Sequence, residues 1–209
     1  MSKALIAMAM VILLISCQGP TGPTGAAGAD GNSILFDNFL SSTLSTNWTQ
    51  GSAGNYYAGG GSLTIAGAST GTTASTVKLQ SSLISSNDYD VAVGVKITAG
   101  TVAMLCLRET GGSSQYRFGL DSSGNACIYL GPSTVLKAWT KPANTVAGSD
   151  TLLEAVAIGG HLSFIINGVL FAEVNDATLS SGSVSLLVNT STTAAFRNFV
   201  MTFFKSTQL

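Results

Sequence analysis

The chain has 209 residues, of which only 9% are Asp, Glu, Lys or Arg, whereas an ordinary soluble domain carries about 25%. Its 10 acidic and 9 basic residues leave a formal net charge of -1, so no electrostatic field would attract a nucleic acid, and we expect no such partner. The 24 glycines, with Ser and Thr in place of the long charged residues that favour surface helices, predict short strands and tight turns.

The first residues have the features of an export signal. Lys3 gives a basic start, and residues 4–15 form an uninterrupted apolar run of twelve. Such a run is too short for a transmembrane helix, which needs roughly 17 to 25 residues, but it fits the apolar part of a secretory signal. We therefore predict a signal peptide over residues 1–16.

The end of this signal, Leu14-Ile15-Ser16-Cys17, resembles the lipobox of bacterial lipoproteins. The resemblance implies that Cys17 becomes the N-terminus, is lipidated and anchors an exported protein to a membrane. The residue after the cysteine is Gln18 rather than Asp. In lipoproteins of two-membrane bacteria this implies passage to the outer membrane, so we expect the protein there or at the cell surface. The alternative is an ordinary cleaved signal that contains a cysteine.

From residue 19 onwards glycine recurs at every third position, at residues 19, 22, 25, 28 and 31. This is the period of the collagen triple helix, whose crowded axis admits only glycine. Five triplets with only Pro20 and Pro23 bury little, so we expect at most a weak homotrimer through this segment. The alternative is a semi-extended tether of roughly 3 Å per residue. Residues 17–32 are thus predicted to be a lipidated cysteine followed by a flexible collagen-like spacer.

Residues 33–209 consist of short β-rich runs separated by Gly, Ser, Asn and Asp, with no helical period between them. This pattern predicts an all-β domain, an antiparallel sandwich of two sheets of the jelly-roll type, without a helix of normal length. The predicted strands are residues 34–40, 62–66, 74–80, 89–97, 101–109, 114–121, 125–130, 135–140, 152–158, 161–167, 169–174, 183–189 and 195–204.

Two turns predict the register of the strands around them. Gly159-Gly160 is a two-residue turn that tolerates positive φ angles and pairs Ile158 with His161. With this pairing, the apolar residues of both strands share one face.

The turn at residues 110–113 similarly pairs Leu107 with Tyr116. Polar residues then alternate onto the face away from the core, where arginines on a sheet with few charges need carboxylate partners or a polar ligand. The residues predicted on this face include Arg108, Gln115 and Arg117.

The two cysteines of the domain are predicted to remain unpaired. Cys106 belongs to the face of the arginines, whereas Cys127, taken as the partner of Leu120, would face the core. A third strand separates them, so they would lie about 9 to 10 Å apart. A disulfide requires Cα atoms within about 7 Å.

The domain as a whole resembles concanavalin A-like lectin/glucanase domains, laminin G-like ones included. The resemblance implies a concanavalin A-like sandwich, a fold that hosts lectins, glycosidases, lyases and inert spacers. The matching segments recur in order over nearly all of residues 34–204, at 34–39, 47–48, 59–65, 107–108 followed by Tyr116, 153–168, 176–184 and 196–199.

The same resemblance implies calcium as the candidate cofactor. Asp37 and Asp176 match acidic positions of the family, in which a carboxylate and loop carbonyls form the site. Arg197 stands where the terminal motif of the family usually has an Asp, which weakens the metal interpretation. An ion pair between Asp37 and Arg197 accounts for these residues equally well.

No residue is assigned a catalytic role. Glycosidases need two carboxylates that project from one face, and the one acidic pair at strand spacing, Asp88 and Asp90, is interpreted as a turn and strand cap. The single histidine, His161, lies at a hairpin corner, where we expect it to be solvated. A glycan-active hydrolase or lyase using Glu109, Glu154 and His161 is the second hypothesis.

The main hypothesis is a lipid-anchored, surface-displayed protein that binds a glycan or another surface protein without catalysis. A third hypothesis is a structural coat or adhesin subunit that takes no small ligand. Sugar binding needs aromatic platforms beside hydrogen-bond donors, and for each aromatic residue packing in the core is the alternative. The candidate aromatic residues are Tyr56, Tyr57, Trp48 and Trp139, and the candidate polar residues are Arg108, Gln115 and Arg117.

Overall fold

The computed structural model describes residues 33–204 except Ser52, Thr72 and Gly112. The predicted signal peptide, Cys17 and the collagen-like spacer lie outside the described residues. The part of the chain that is described contains no helix long and apolar enough to cross a membrane. Its helical element is a single 3-10 turn at Ser81–Leu83.

Strands account for the rest of the regular structure, and most alternate between buried and more exposed residues, the period of two that lets one face pack against a core. The strands are β1 (Ile34–Asp37), β2 (Trp48–Gln50), β3 (Asn55–Gly59), β4 (Ser62–Ala66), β5 (Ser75–Leu79), β6 (Tyr89–Ala99), β7 (Val102–Gly111), β8 (Ser114–Asp121), β9 (Ala126–Leu130), β10 (Thr134–Thr140), β11 (Thr151–Ile158), β12 (His161–Ile166), β13 (Val169–Asn175), β14 (Ser183–Val188) and β15 (Thr193–Phe203).

The strands form two antiparallel sheets. The eight-stranded sheet has the order β13-β12-β11-β6-β15-β4-β3, with β1 also paired to β15. The seven-stranded sheet has the order β10-β9-β8-β7-β14-β5-β2. Neighbours distant in sequence, such as β7 and β14, are joined by long crossovers, as in a jelly roll. The predicted all-β, two-sheet sandwich is therefore confirmed.

The core lies between the two sheets. Phe118 of the seven-stranded sheet meets Phe164 of the eight-stranded sheet edge to face, with ring centroids 5.2 Å apart. Trp48 packs in the same core, 4.8 Å from the Phe199 ring. Because the inner faces are apolar and filled, each sheet keeps only its outer face for other molecules.

Both predicted hairpin registers are confirmed at the residue pairs that defined them. Ile158 pairs with His161, and Leu107 pairs with Tyr116. Beyond Leu107 the second hairpin contains a register shift, and Arg108 there has a φ of 51°. This bulge breaks the alternation that the sequence analysis assumed.

The register predicted for Cys127 is wrong by one residue. Cys127 pairs with Gly119, and Leu120 pairs with Ala126. Since a one-residue slip moves a strand's side chains to the opposite face, Cys127 belongs to the outer face rather than the core. It stays unpaired as predicted, like Cys106, because β8 separates their strands.

Two strands, β2 and β3, were not predicted from the sequence. Glycines and polar residues between positions 49 and 61 interrupt the apolar alternation there, so no strand was predicted. Both strands lie at sheet edges.

Candidate binding site

The outer face of the seven-stranded sheet carries a continuous row of side chains across five strands. Residues paired across neighbouring strands project to the same face, and successive pairings connect β9, β8, β7, β14 and β5. We call these residues the outer row: Tyr129, Arg117, Cys106, Ser185 and Lys78.

One end of the outer row borders a pocket of about 360 Å³. Its aromatic wall comes from Tyr129 and Trp139, and its charged group is Arg117. Val102, Met104, Pro132 and Asn189 complete the lining. The pocket thus combines two aromatic rings, a guanidinium and an amide, the groups that a polar ring-shaped ligand requires.

Trp139 of β10 reaches this pocket because Gly119 of β8 has no side chain. A Cβ at Gly119 would lie 3.2 Å from Cη2 of Trp139 and 2.7 Å from Sγ of Cys127. The pairing of β10 with β9 also contains register shifts after Val135. These shifts and the bare glycine let the indole lie on the sheet with 38% of its surface exposed.

A group of buried polar atoms without hydrogen-bond partners surrounds the middle of the outer row. They are Oε1 of Gln115, Oγ of Ser185, Nε of Arg117 and Oε2 of Glu109. An unpaired buried polar group costs about 1–3 kcal/mol, so four in one region require water or a ligand to complete their hydrogen bonds. We call this set the polar cluster.

One member of the polar cluster, Glu109, forms an ion pair with Lys78 of the outer row. Nζ of Lys78 lies 3.5 Å from Oε1 of Glu109 and also donates a hydrogen bond to the Glu109 backbone carbonyl. Gln115 is 2% exposed, and its Nε2 donates a long hydrogen bond of 3.7 Å to Sγ of Cys106. These contacts fix the side chains around the small residues of the row.

The two thiols on this face are not nucleophiles. Burial raises the pKa of Cys106 to about 12, although the nearby Arg117 lowers it. Burial likewise raises the pKa of Cys127 to about 12. Both thiols therefore stay protonated at neutral pH, and the thiolate is the reactive form.

Arg108, which was predicted to bind the ligand together with Arg117, does not lie on the same face of the sheet. It is fully buried; its Nη1 donates to the carbonyl of Leu179 at 2.9 Å and its Nη2 to that of Asn87 at 3.2 Å. The bulge in β7 turns the side chain to the core side, where its backbone N–H donates to the hydroxyl of Tyr89. The structure thus separates Arg108 from the polar surface.

The predicted aromatic residues fall into three environments. Trp48 is 5% exposed, which confirms core packing for it. Tyr56 packs partly against the core and donates its hydroxyl to the carbonyl of Ala53. Tyr57, 61% exposed, lies on edge strand β3 of the eight-stranded sheet. Only Trp139 joins Arg117 and Gln115 on the outer face of the seven-stranded sheet.

The fold does not gather Asp37 and Asp176 into one metal site. Asp37 accepts hydrogen bonds from the Phe39 amide and the Trp48 indole. Asp176 accepts from the Tyr116 hydroxyl at 2.7 Å, a bond that lowers the pKa of this carboxyl. No three His, Cys, Asp or Glu side chains cluster among residues 33–204, the three masked positions excepted. This pair does not fit a shared calcium site.

The proposed ion pair between Asp37 and Arg197 is also wrong. Arg197 pairs with Asp150 instead, and Asp37 stands opposite Phe199 in the register of β1 with β15. The first and last strands, β1 and β15, are nevertheless paired.

The residues of the hydrolase hypothesis lie on different sheets. Glu109 belongs to the seven-stranded sheet, whereas Glu154 and His161 belong to the eight-stranded sheet. On the exposed face of the eight-stranded sheet, His161 contacts Asn175 through Nδ1 at 2.9 Å and Ser163 through Nε2 at 3.3 Å.

Tyr129 and Asn189 are the site residues that the sequence analysis missed. The signal for Tyr129 was the turn at residues 121–125, where Asp121 accepts hydrogen bonds from the amides of Ser123 and Asn125. That side chain–backbone turn sets Leu120 opposite Ala126, which puts Tyr129 beside Arg117. Asn189 follows the end of β14, and one sequence gives no signal for its place in the pocket.

The fold is that of a galectin-like, concanavalin-like β-sandwich. No family model and no curated protein matches the sequence. Solved structures that match include the carbohydrate-binding module CBM66 from Bacillus subtilis, with a TM-score of 0.61 at 18% identity over 75% of this chain and 96% of that chain.

Two further structures have the same architecture. The exoplasmic/lumenal domain of VIP36, in a form bound to Ca²⁺ and Man2, has a TM-score of 0.61 at 10% identity over 84% of this chain and 89% of that chain. A putative glycosyl hydrolase from Parabacteroides distasonis ATCC 8503 has a TM-score of 0.60 at 10% identity, over 81% and 94% of the two chains. At these identities the likeness is one of fold.

Proposed function

We propose that this protein binds carbohydrate on the outer face of its seven-stranded sheet. The observation that carries the proposal is the pocket in which Trp139 and Tyr129 lie beside Arg117. Aromatic rings pack against the C–H faces of sugar rings, while guanidinium and amide groups bind their hydroxyls. The names of structural neighbours, a carbohydrate-binding module and a lectin-like domain bound to Man2, support the same class of ligand.

The proposed role is binding without catalysis. Its support is that the described residues lining the pocket include no carboxylate, and that Glu109, the carboxylate on the same face of the sheet, is paired with Lys78. Glycoside hydrolysis requires two carboxyl groups about 5 to 9.5 Å apart on either side of the bond to be cleaved. The lining of the pocket among the described residues supplies no such pair.

A glycan array tests the binding function directly. We expect the full chain, purified in detergent, to bind a subset of glycans, and the Trp139→Ala variant to lose that binding by at least about tenfold. Tyr57→Ala is the matched control, because it removes an exposed aromatic side chain from the other sheet. Equal loss in both variants, or an array with no bound glycan, would exclude this site.

We also propose that Cys17 carries a lipid that displays the domain at the cell surface, with the Gly-X-Y triplets as tether and, at most, a weak homotrimer contact. The support is the lipobox-like motif and the glycine period. Metabolic labelling with an alkyne fatty acid should mark the wild type and Cys127→Ala but not Cys17→Ala. Label retained in Cys17→Ala would contradict the anchor.

A further inference from the structure

We infer that the sugar recognised in this pocket carries a carboxylate, which binds to Arg117. This inference rests on the proposed function, because it specifies the ligand of the same site. It depends on three observations: the free guanidinium of Arg117, the charge of the polar cluster and the aromatic wall of the pocket.

The sequence contains three arginines, and the fold occupies two of them. Arg108 is held by the carbonyls of Leu179 and Asn87, and Arg197 is paired with Asp150. Arg117 has no ion-pair partner and no hydrogen-bond partner among the described residues, and its Nε is buried without an acceptor. The Nε of Arg108 is likewise buried without an acceptor, but both terminal nitrogens of Arg108 are engaged. Arg117 is therefore the arginine whose terminal nitrogens are left for a ligand, and it lines the pocket.

The local charge also favours an anion. Lys78 and Arg117 are the two cations of the outer row, and Glu109 is the carboxylate beside them. Glu109 lies 3.5 Å from Nζ of Lys78, so that pair is balanced and the positive charge of Arg117 is not. This excess positive charge lies at a pocket in a chain whose formal net charge is -1.

The shape of the Arg117 guanidinium favours a carboxylate as the anionic group of the ligand. A guanidinium is planar and presents paired N–H donors that match the two oxygens of a carboxylate, which makes this pair stronger than hydrogen bonds to neutral hydroxyls. Trp139 and Tyr129 lie on the same pocket wall and can hold the sugar ring while the carboxylate meets Arg117. Asn189, which also lines the pocket, supplies an amide for the hydroxyls of the sugar.

Matched glycans separate this inference from the proposed function. The full chain in detergent is tested against glycans ending in galacturonate, glucuronate or N-acetylneuraminate, against their carboxyl-reduced counterparts, and against sulfated neutral glycans. We expect at least one carboxylated glycan to bind at least about tenfold more tightly than its reduced counterpart. Arg117→Gln should abolish that preference, and Arg117→Lys, which keeps the charge without the fork, should retain part of it.

Each outcome decides one of the two proposals. Binding of neutral or sulfated glycans without a preference for carboxylate would overturn the inference and leave the proposed function standing. A preference for carboxylate that persists in Arg117→Gln would also overturn it. Binding to none of the glycans would overturn both. The thermal unfolding of each variant, compared with wild type, shows that the changes in binding are not caused by unfolding.

Discussion

Arg108 is a buried cation that is neutralised by no carboxylate among the residues it contacts. Its guanidinium is held by the carbonyl groups of Leu179 and Asn87, and through them it joins β7 to two loops at one end of the sandwich. Hydrogen bonds to a charged group contribute about 1.5–3 kcal/mol each. The residue therefore belongs to the stability of the fold, whereas Arg117 belongs to the site.

Replacing Arg108 tests that assignment. Arg108→Met should lower the free energy of unfolding by about 3 kcal/mol, since two buried carbonyls lose their donors, while glycan binding per folded molecule stays unchanged. Urea denaturation measures the first effect. Arg197→Gln is the control, because it breaks an exposed ion pair worth about 1 kcal/mol or less; an equal loss in both variants would contradict the account.

Asp90 is a half-buried carboxylate on the outer face of the eight-stranded sheet. Burial, with a smaller effect of the nearby Glu154, raises its pKa to about 6, and its Oδ1 has no hydrogen-bond partner. Because the folded state binds this proton more tightly than the unfolded chain, the ionised group destabilises the fold as the pH rises through this range.

Asp90→Asn should therefore stabilise the protein at neutral pH by about 1 kcal/mol, a value reduced for solvent screening. The gain should shrink as the pH falls through about 6 and vanish below about 4, where the wild-type carboxyl is protonated in both states. Urea denaturation of both proteins across this range measures it. A difference that does not vary with pH would show that Asp90 titrates normally.

At the level of strands, the bulge of β7 is the feature that separates the two arginines. It is held against the start of β14, where Gly182 has a φ of +137° and its Cβ position lies 2.5 Å from the Arg108 carbonyl carbon. No side chain fits there without moving the backbone of β7.

Gly182→Ala should consequently destabilise the protein by about 3 kcal/mol or more. Gly60→Ala is a matched control: Gly60 also has a positive φ, +60°, but nothing lies within 4 Å of its Cβ position. We expect that control to cost only about 1 kcal/mol. Thermal and urea unfolding compare the two variants, and equal losses would mean that the close approach to β7 is unimportant.

The same elements explain how much could be predicted from sequence. Regular alternation around Gly159-Gly160 gave the correct register, and the position of Arg117 on the outer face followed from the pairing of Leu107 with Tyr116. The bulge at Arg108 could not be predicted, because the contact with Gly182 that it accommodates lies more than seventy residues away in sequence. The wrong register of Cys127 also places Tyr129, two residues further along the same strand, on the core face. One of the two rings of the aromatic wall was therefore not predicted.

At the scale of the whole molecule, the low charge content suits recognition by contact rather than by long-range attraction. A formal net charge of -1 offers little electrostatic steering, so affinity must come from the pocket and the outer row. The sandwich holds that face rigid, because the inward-facing side chains of β8 and β9 pack in the apolar core. Ligand binding should therefore change the environment of Trp139 and leave that of the core unchanged.

The two tryptophans make this claim measurable, since Trp48 lies in the core and Trp139 in the pocket. In Trp48→Phe, whose emission comes from Trp139 alone, titration with a glycan identified on the array should shift or quench the fluorescence at the concentrations that bind wild type. In Trp139→Phe, whose emission comes from Trp48 alone, the same titration should change nothing. A response from Trp48 without one from Trp139 would contradict a binding site on the outer face of the seven-stranded sheet.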